Sequence, residues 1–128
     1  MLLRKIMSKM GVGSAKIDLV LNGDTFKPGD TIQGEFRIAG GIIEQKLKRI
    51  ETDLIRTTNE GETIVSEHSI LTSGLVMADE EKVVIFICQL PNDLPPTGKN
   101  NHYKFVTKLV FTDGVDSLDH DEIKILPA

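Results

Sequence analysis

The chain has 128 residues, of which 40% are hydrophobic and 27% charged, and its formal net charge is −4. That is one domain's length, enough for a core without disulfide staples. The mild negative balance argues against the basic stripe of a nucleic-acid surface, and the single cysteine, Cys88, rules out an internal disulfide and points to a reducing compartment.

No run approaches the eighteen or so apolar residues of a membrane span. The N-terminus lacks the long apolar region and the small-residue cleavage site of a signal peptide. A soluble, cytoplasmic protein is the expectation. Residues 2–10, LLRKIMSKM, place Leu2, Leu3, Ile6, Met7 and Met10 at helical spacing, with Arg4, Lys5, Ser8 and Lys9 on the other face. This predicts a short amphipathic helix, and one so short does not hold alone in water. It must dock, which makes its five apolar residues the candidate interaction surface. The sandwich or a neighbouring domain is the nearest docking ground. A partner protein or a second copy, and then a membrane surface, are the alternatives. Gly11-Val12-Gly13 is a link, so residues 1–13 stand apart from a domain at 14–128. It is no phosphate loop, because no strand precedes it and no helix follows.

The period then changes to two. Ala15 to Leu21 predicts the first strand, with Ala15, Ile17, Leu19 and Leu21 on one face. Asn22-Gly23-Asp24 breaks it. In Thr25 to Ile38, TFKPGDTIQGEFRI, Pro28-Gly29 supplies a turn. Ile32, Gly34, Phe36 and Ile38 then alternate with Gln33, Glu35 and Arg37, which marks a strand with one buried face. Glu44 to Thr58 is long and charged, and Leu47 and Ile55 fall out of parity with Ile50 and Leu54; a strand with a β-bulge reconciles them, and a helix is the competing reading, since Leu47, Ile50 and Leu54 also sit three and four apart. Asn59-Glu60-Gly61 is a hairpin turn, and Glu62 to Thr72 reads as an exposed or edge strand. Lys82 to Leu90, KVVIFICQL, is nearly continuous apolar and predicts a central strand with both faces covered. Pro91 to Asn101 is a loop rich in breakers. Tyr103, Phe105, Thr107, Leu109 and Phe111 share the face of the next strand. The last strand runs from about Leu118 to Leu126, with Ile123 and Ile125 inward. About seven strands with turns at this spacing predict an all-β, two-layer antiparallel sandwich.

The segment DTFKPGDTIQGEFRI resembles the arrestin-fold signature in which a Pro-Gly turn leads into the second strand. LPNDLPPT resembles the loop after the fifth strand of arrestin-like proteins. KMGVGSAKIDLVL and GGIIEQKL resemble the opening of bacterial sporulation-control proteins of the SpoOM type. The resemblance covers essentially the whole chain. It implies an arrestin-like, immunoglobulin-like β-sandwich and a regulatory, non-enzymatic role in the cytoplasm. Typical members are about twice this length, with two such sandwiches in tandem, so this chain corresponds to the first.

The search for chemistry finds no Gly-x-Ser-x-Gly elbow. Among the histidines, His68 lies mid-strand, His102 at a loop exit, and only His120 has acidic company, in Asp116, Asp119, Asp121 and Glu122. Alternation sends Asp119 and Asp121 to the face opposite His120 and Glu122, so no catalytic or metal site is expected there. Cys88 sits in the most apolar strand and reads as a core thiol. Lys46, Lys48 and Arg49 read as a solvated strand face. The expectation is therefore a non-catalytic regulatory module with a protein partner or self-association, and no cofactor. A small-ligand or carbohydrate-binding sandwich, or a peripheral membrane adaptor using the N-terminal helix, are the alternatives.

Overall fold

The computed structural model describes residues 13–128. The expected N-terminal helix and its candidate surface, Leu2, Leu3, Ile6, Met7 and Met10, lie outside the described residues. Those described form strands and loops, with no helix among them: β1 (Lys16–Leu21), β2 (Thr25–Phe26), β3 (Thr31–Ala39), β4 (Gln45–Thr58), β5 (Gly61–Val76), β6 (Glu81–Gln89), β7 (His102–Phe111) and β8 (Ser117–Ile125). One sheet has the order β1-β3-β6 and the other β2-β8-β7-β4-β5. This is the expected two-layer sandwich. The pairs are antiparallel except for β2 with β8, a two-residue parallel pair that the sequence reading did not separate from the turn at Pro28-Gly29.

Alternation explains the core. Ile32, Phe36 and Ile38 of β3 are buried, as are Ile50 and Leu54 of β4 and Phe105 and Leu109 of β7. The rings of Phe36 and Phe86 lie 5.1 Å apart, and Phe86 meets Phe105 of the opposite sheet edge-on at 5.9 Å. That chain of rings spans the two layers, in the tilted geometry that aromatic quadrupoles favour. Register shifts between Leu47 and Arg49, and between Leu54 and Ile55, supply the bulges that the parity change in β4 required. Gly13, at φ +73°, crosses directly over Gly41, where any Cβ would collide with the Gly13 carbonyl oxygen.

One sequence expectation fails. Lys82 to Leu90 is not a central strand: β6 pairs only with β3 and forms the edge of its sheet. Its even-numbered residues face the core, where Phe86 and Cys88 are buried, while Val83, Ile85 and Ile87 are 57%, 66% and 62% exposed. An apolar run has no period, so sequence cannot separate a covered face from an uncovered one.

Thr52 and Thr107 face each other across β4 and β7 inside the core, fully buried, with their hydroxyls 2.9 Å apart. Each satisfies the other. Thr52→Val alone is expected to cost about 1–3 kcal/mol in urea unfolding, because it strands the Thr107 hydroxyl. The double variant Thr52→Val/Thr107→Val removes both polar groups and should return to within about 1 kcal/mol of the parent.

Candidate functional site

The two long sides of the sandwich differ. On one, β1 meets β8 through side chains rather than a backbone ladder. The Leu19 N–H donates to Asp119 Oδ2 at 2.9 Å, and Ser117 Oγ donates to the Ala15 carbonyl. Both β8 residues fall on the inward parity, opposite Thr107 and Leu109 of β7. Asp121 shares that parity. With Asp18 of β1, Asp119 and Asp121 bring carboxylate oxygens within 4.8 Å of one another. Burial pushes the Asp121 carboxyl up to about 7, helped by a hydrogen bond with Asp119 and by the charges of Asp119 and Asp18. Three carboxylate oxygens at this spacing are the donor type that a hard cation takes. Here Asp119 accepts the Leu19 N–H, which makes this spot a seam joining the sheets, with Asp18 and Asp121 beside it. Period-two reading correctly set Asp119 and Asp121 apart from His120 and Glu122. It missed Asp18, which joins them from a strand about a hundred residues earlier in the chain.

The opposite side is open among the described residues. The Leu90 N–H bonds to the Asp30 carbonyl and the Gly40 N–H to the Glu80 carbonyl. The register between these points pairs residues whose numbers keep the same parity, so even-numbered β6 residues spend their backbone groups on β3. The N–H and C=O of Val83, Ile85 and Ile87 therefore point away from the sheet, and no strand among the described residues pairs with them. Their side chains form a continuous apolar stripe on the outer face. Between this edge and β5 runs a cleft of about 450 Å³, lined by Glu67, His68, Ile70, Ile85 and Phe86 among others. His68 lies edge-on to Phe86 at 5.5 Å, with its ring nitrogen 3.3 Å from Ser66 Oγ. Burial holds its pKa below the usual value, against the opposing pull of Asp53.

The other singled-out residues do not converge. Cys88 is buried, and desolvation pushes its thiol up to about 11, the reverse of what a nucleophile needs. His102 and His120 are exposed on β7 and β8. Lys46 and Lys48 are exposed, while Arg49 is 3.2 Å from Glu51 on its own strand. Tyr103 is buried, and its hydroxyl donates to the Pro95 carbonyl at 2.7 Å, so the lone tyrosine locks the breaker-rich loop.

Two layers, a stitched seam and an open edge define an arrestin-like β-sandwich domain. The chain matches the SpoOM protein family over residues 3–128, and it belongs to that family. It is 30% identical over 128 residues to the sporulation-control protein Spo0M of Bacillus subtilis, which covers 94% of this chain and 50% of that protein. The crystal structure of that Spo0M superposes with a TM-score of 0.82 at 29% identity, over 89% of this chain and 50% of its own. The chain thus spans about half the length of the relative it matches. Pseudomonas fluorescens alkylpurine DNA glycosylase AlkC, solved bound to DNA containing an abasic site analog, shares the fold alone, at a TM-score of 0.57 and 14% identity over 33% of its chain.

The raised Asp121 carboxyl has a consequence for stability. In the fold it keeps its proton up to about 7, whereas unfolded it titrates in the ordinary carboxylate range. The folded state binds the extra proton in between, so this group's contribution is full at low pH and is lost as pH rises through that window. Asp121→Asn cannot titrate. Its urea midpoint should gain on the parent's between about pH 4.5 and pH 8, whereas an equal offset at both values would mean that Asp121 titrates normally.

Proposed function

We propose that this domain is a non-catalytic regulatory module that captures an extended peptide by strand addition on β6. The carrying observation is that the same three residues, Val83, Ile85 and Ile87, present backbone donors and acceptors that no strand among the described residues pairs, together with exposed apolar side chains. Backbone bonding to an added strand gives affinity, and alternate side chains give selectivity. An incoming strand would lay one set of side chains beside the stripe and the other set toward His68 and Phe86 in the cleft. An apolar β-branched peptide, alternating with residues small enough for that cleft, fits the edge. The names of the relatives support a role in sporulation control, and the dispersed histidines and buried thiol support a role other than catalysis. The reading also takes the module to work in the cytoplasm, in keeping with its unpaired cysteine.

A backbone-specific test is available. Proline is tolerated on an edge strand where its missing N–H would have faced solvent. Ile85→Pro removes the outward donor and spares the pairing with β3, whose bonds come from Val84 and Phe86. The variant should fold, with a far-ultraviolet circular dichroism spectrum like the parent's. Panning a random phage-displayed peptide library should enrich alternating apolar sequences on the parent, and Ile85→Pro should bind them at least about tenfold more weakly. Enriched peptides that bind both proteins equally would place recognition elsewhere.

A further inference from the structure

An apolar edge strand is a ready template for pairing with another chain, and sandwiches that stay single blunt such edges with charge, proline or a bulge. Within β6 the stretch Val83 to Cys88 carries none of the three. We propose that this edge also pairs with its own kind: two copies of the chain join β6 to β6 antiparallel, about a two-fold axis at Ile85, and the dimer hides the edge that a peptide would take. The proposal rests on the reading of β6 as a strand-addition edge and names the occupant that regulates it.

Parity, pattern and charge select this arrangement. The backbone groups that β3 leaves over belong to Val83, Ile85 and Ile87. A residue on a two-fold axis between antiparallel strands meets its own copy, so an axis at Ile85 sets Ile85 against Ile85 and Val83 against Ile87. All three residues then use their outward N–H and C=O groups, for about six backbone hydrogen bonds. The same axis lines their side chains, each more than half exposed in the single copy, into one apolar ladder across both strands. An axis at Val84 would set Ile87 against Glu81, and one at Phe86 would set Val83 against Gln89, so Ile85 alone gives every apolar residue an apolar partner. Charge favours the antiparallel sense. Asp79, Glu80 and Glu81 lead into β6, and parallel pairing would lay two such acidic ends side by side. The axis at Ile85 sets Glu81 against the neutral Gln89 and holds the two copies of Glu81 about 27 Å apart. On β3, Glu35 and Arg37 stand beside Ile85 and Val83 and neutralise each other at 2.7 Å, so they add no net charge to the joint. The contact is narrow. One strand from each copy falls short of the ~800 Å² per partner of a standard-size interface. The dimer is therefore weak and dependent on concentration, and a peptide strand of matching pattern displaces it.

The test is association of the intact chain. Sedimentation equilibrium from micromolar to near-millimolar protein should show a reversible monomer–dimer step, weakened at least about tenfold in Ile85→Pro. Charge exchange then locates the axis. Ile85→Lys and Ile85→Glu each place a like-charged pair on it and should stay monomeric alone, whereas an equal mixture of the two should dimerise. All three variants change an exposed side chain and should keep the parent's far-ultraviolet circular dichroism spectrum. A parent that is monomeric throughout, a dimer that Ile85→Pro leaves intact, or a mixture no more associated than its components overturns the proposal. The second of these would mean that the copies meet on another surface. The two readings fail separately. A dimer that obeys the charge exchange, with no peptide enrichment, sinks peptide capture alone. Enrichment that depends on Ile85, with a parent that stays monomeric, sinks the dimer alone.

Discussion

The sandwich depends on how its two sheets are joined along one side. Between β1 and β8 there is no backbone ladder, and a carboxylate does the work of a strand. Asp119 takes the Leu19 N–H, and Ser117 reaches the Ala15 carbonyl. A charge-assisted bond of this kind is stronger than a neutral one, and it satisfies a backbone donor that burial would otherwise orphan. The cost is electrostatic. Asp18 and Asp121 crowd the same spot, and Asp121 relieves the crowding by keeping its proton. The seam thereby fixes which side of the sandwich is closed, and leaves β6 and β5 as the free edges on the other.

That asymmetry is what turns a common fold into a candidate device. A sandwich sealed on both sides offers only faces. One sealed on a single side offers an edge whose backbone can pair, beside a cleft that can receive side chains. The closed side is built of aspartates and the open side of valine and isoleucine, so the two sides differ in chemistry as well as in geometry. The Bacillus subtilis relative carries the same sandwich over half of its chain.

Most of the architecture was legible because exposure and burial alternate in β1, β3, β7 and β8, and the bulges of β4 could be inferred from a change in parity. The edge position of β6 was not legible. Val83 to Cys88 reads as a strand buried on both faces; the pairing shows it at the sheet's edge, and the exposure of Val83, Ile85 and Ile87 shows one face uncovered among the described residues. Where an apolar run is both a core element and a contact surface, hydrophobicity loses its power to tell inside from outside. The aspartate seam failed for a different reason. Asp119 and Asp121 could be placed on one face, but Asp18 comes from the far end of the chain, and such proximity leaves no trace in local spacing. The N-terminal candidate residues lie outside the described residues, so the sequence remains the ground for their assignment.

The place of β8 in its sheet bears on how the domain is made. The last strand does not sit at the rim: it lies between β2 and β7 and also holds the seam to β1. During synthesis the sheet of β1, β3 and β6 can assemble early, yet its Leu19 amide waits for Asp119, and the core for Ile123 and Ile125, until β8 emerges from the ribosome. Closure thus joins the two ends of the domain in one late, long-range event, and folding dominated by such pairings is slow. A nascent chain of this domain is therefore unstitched along one flank until β8 slots home between β2 and β7.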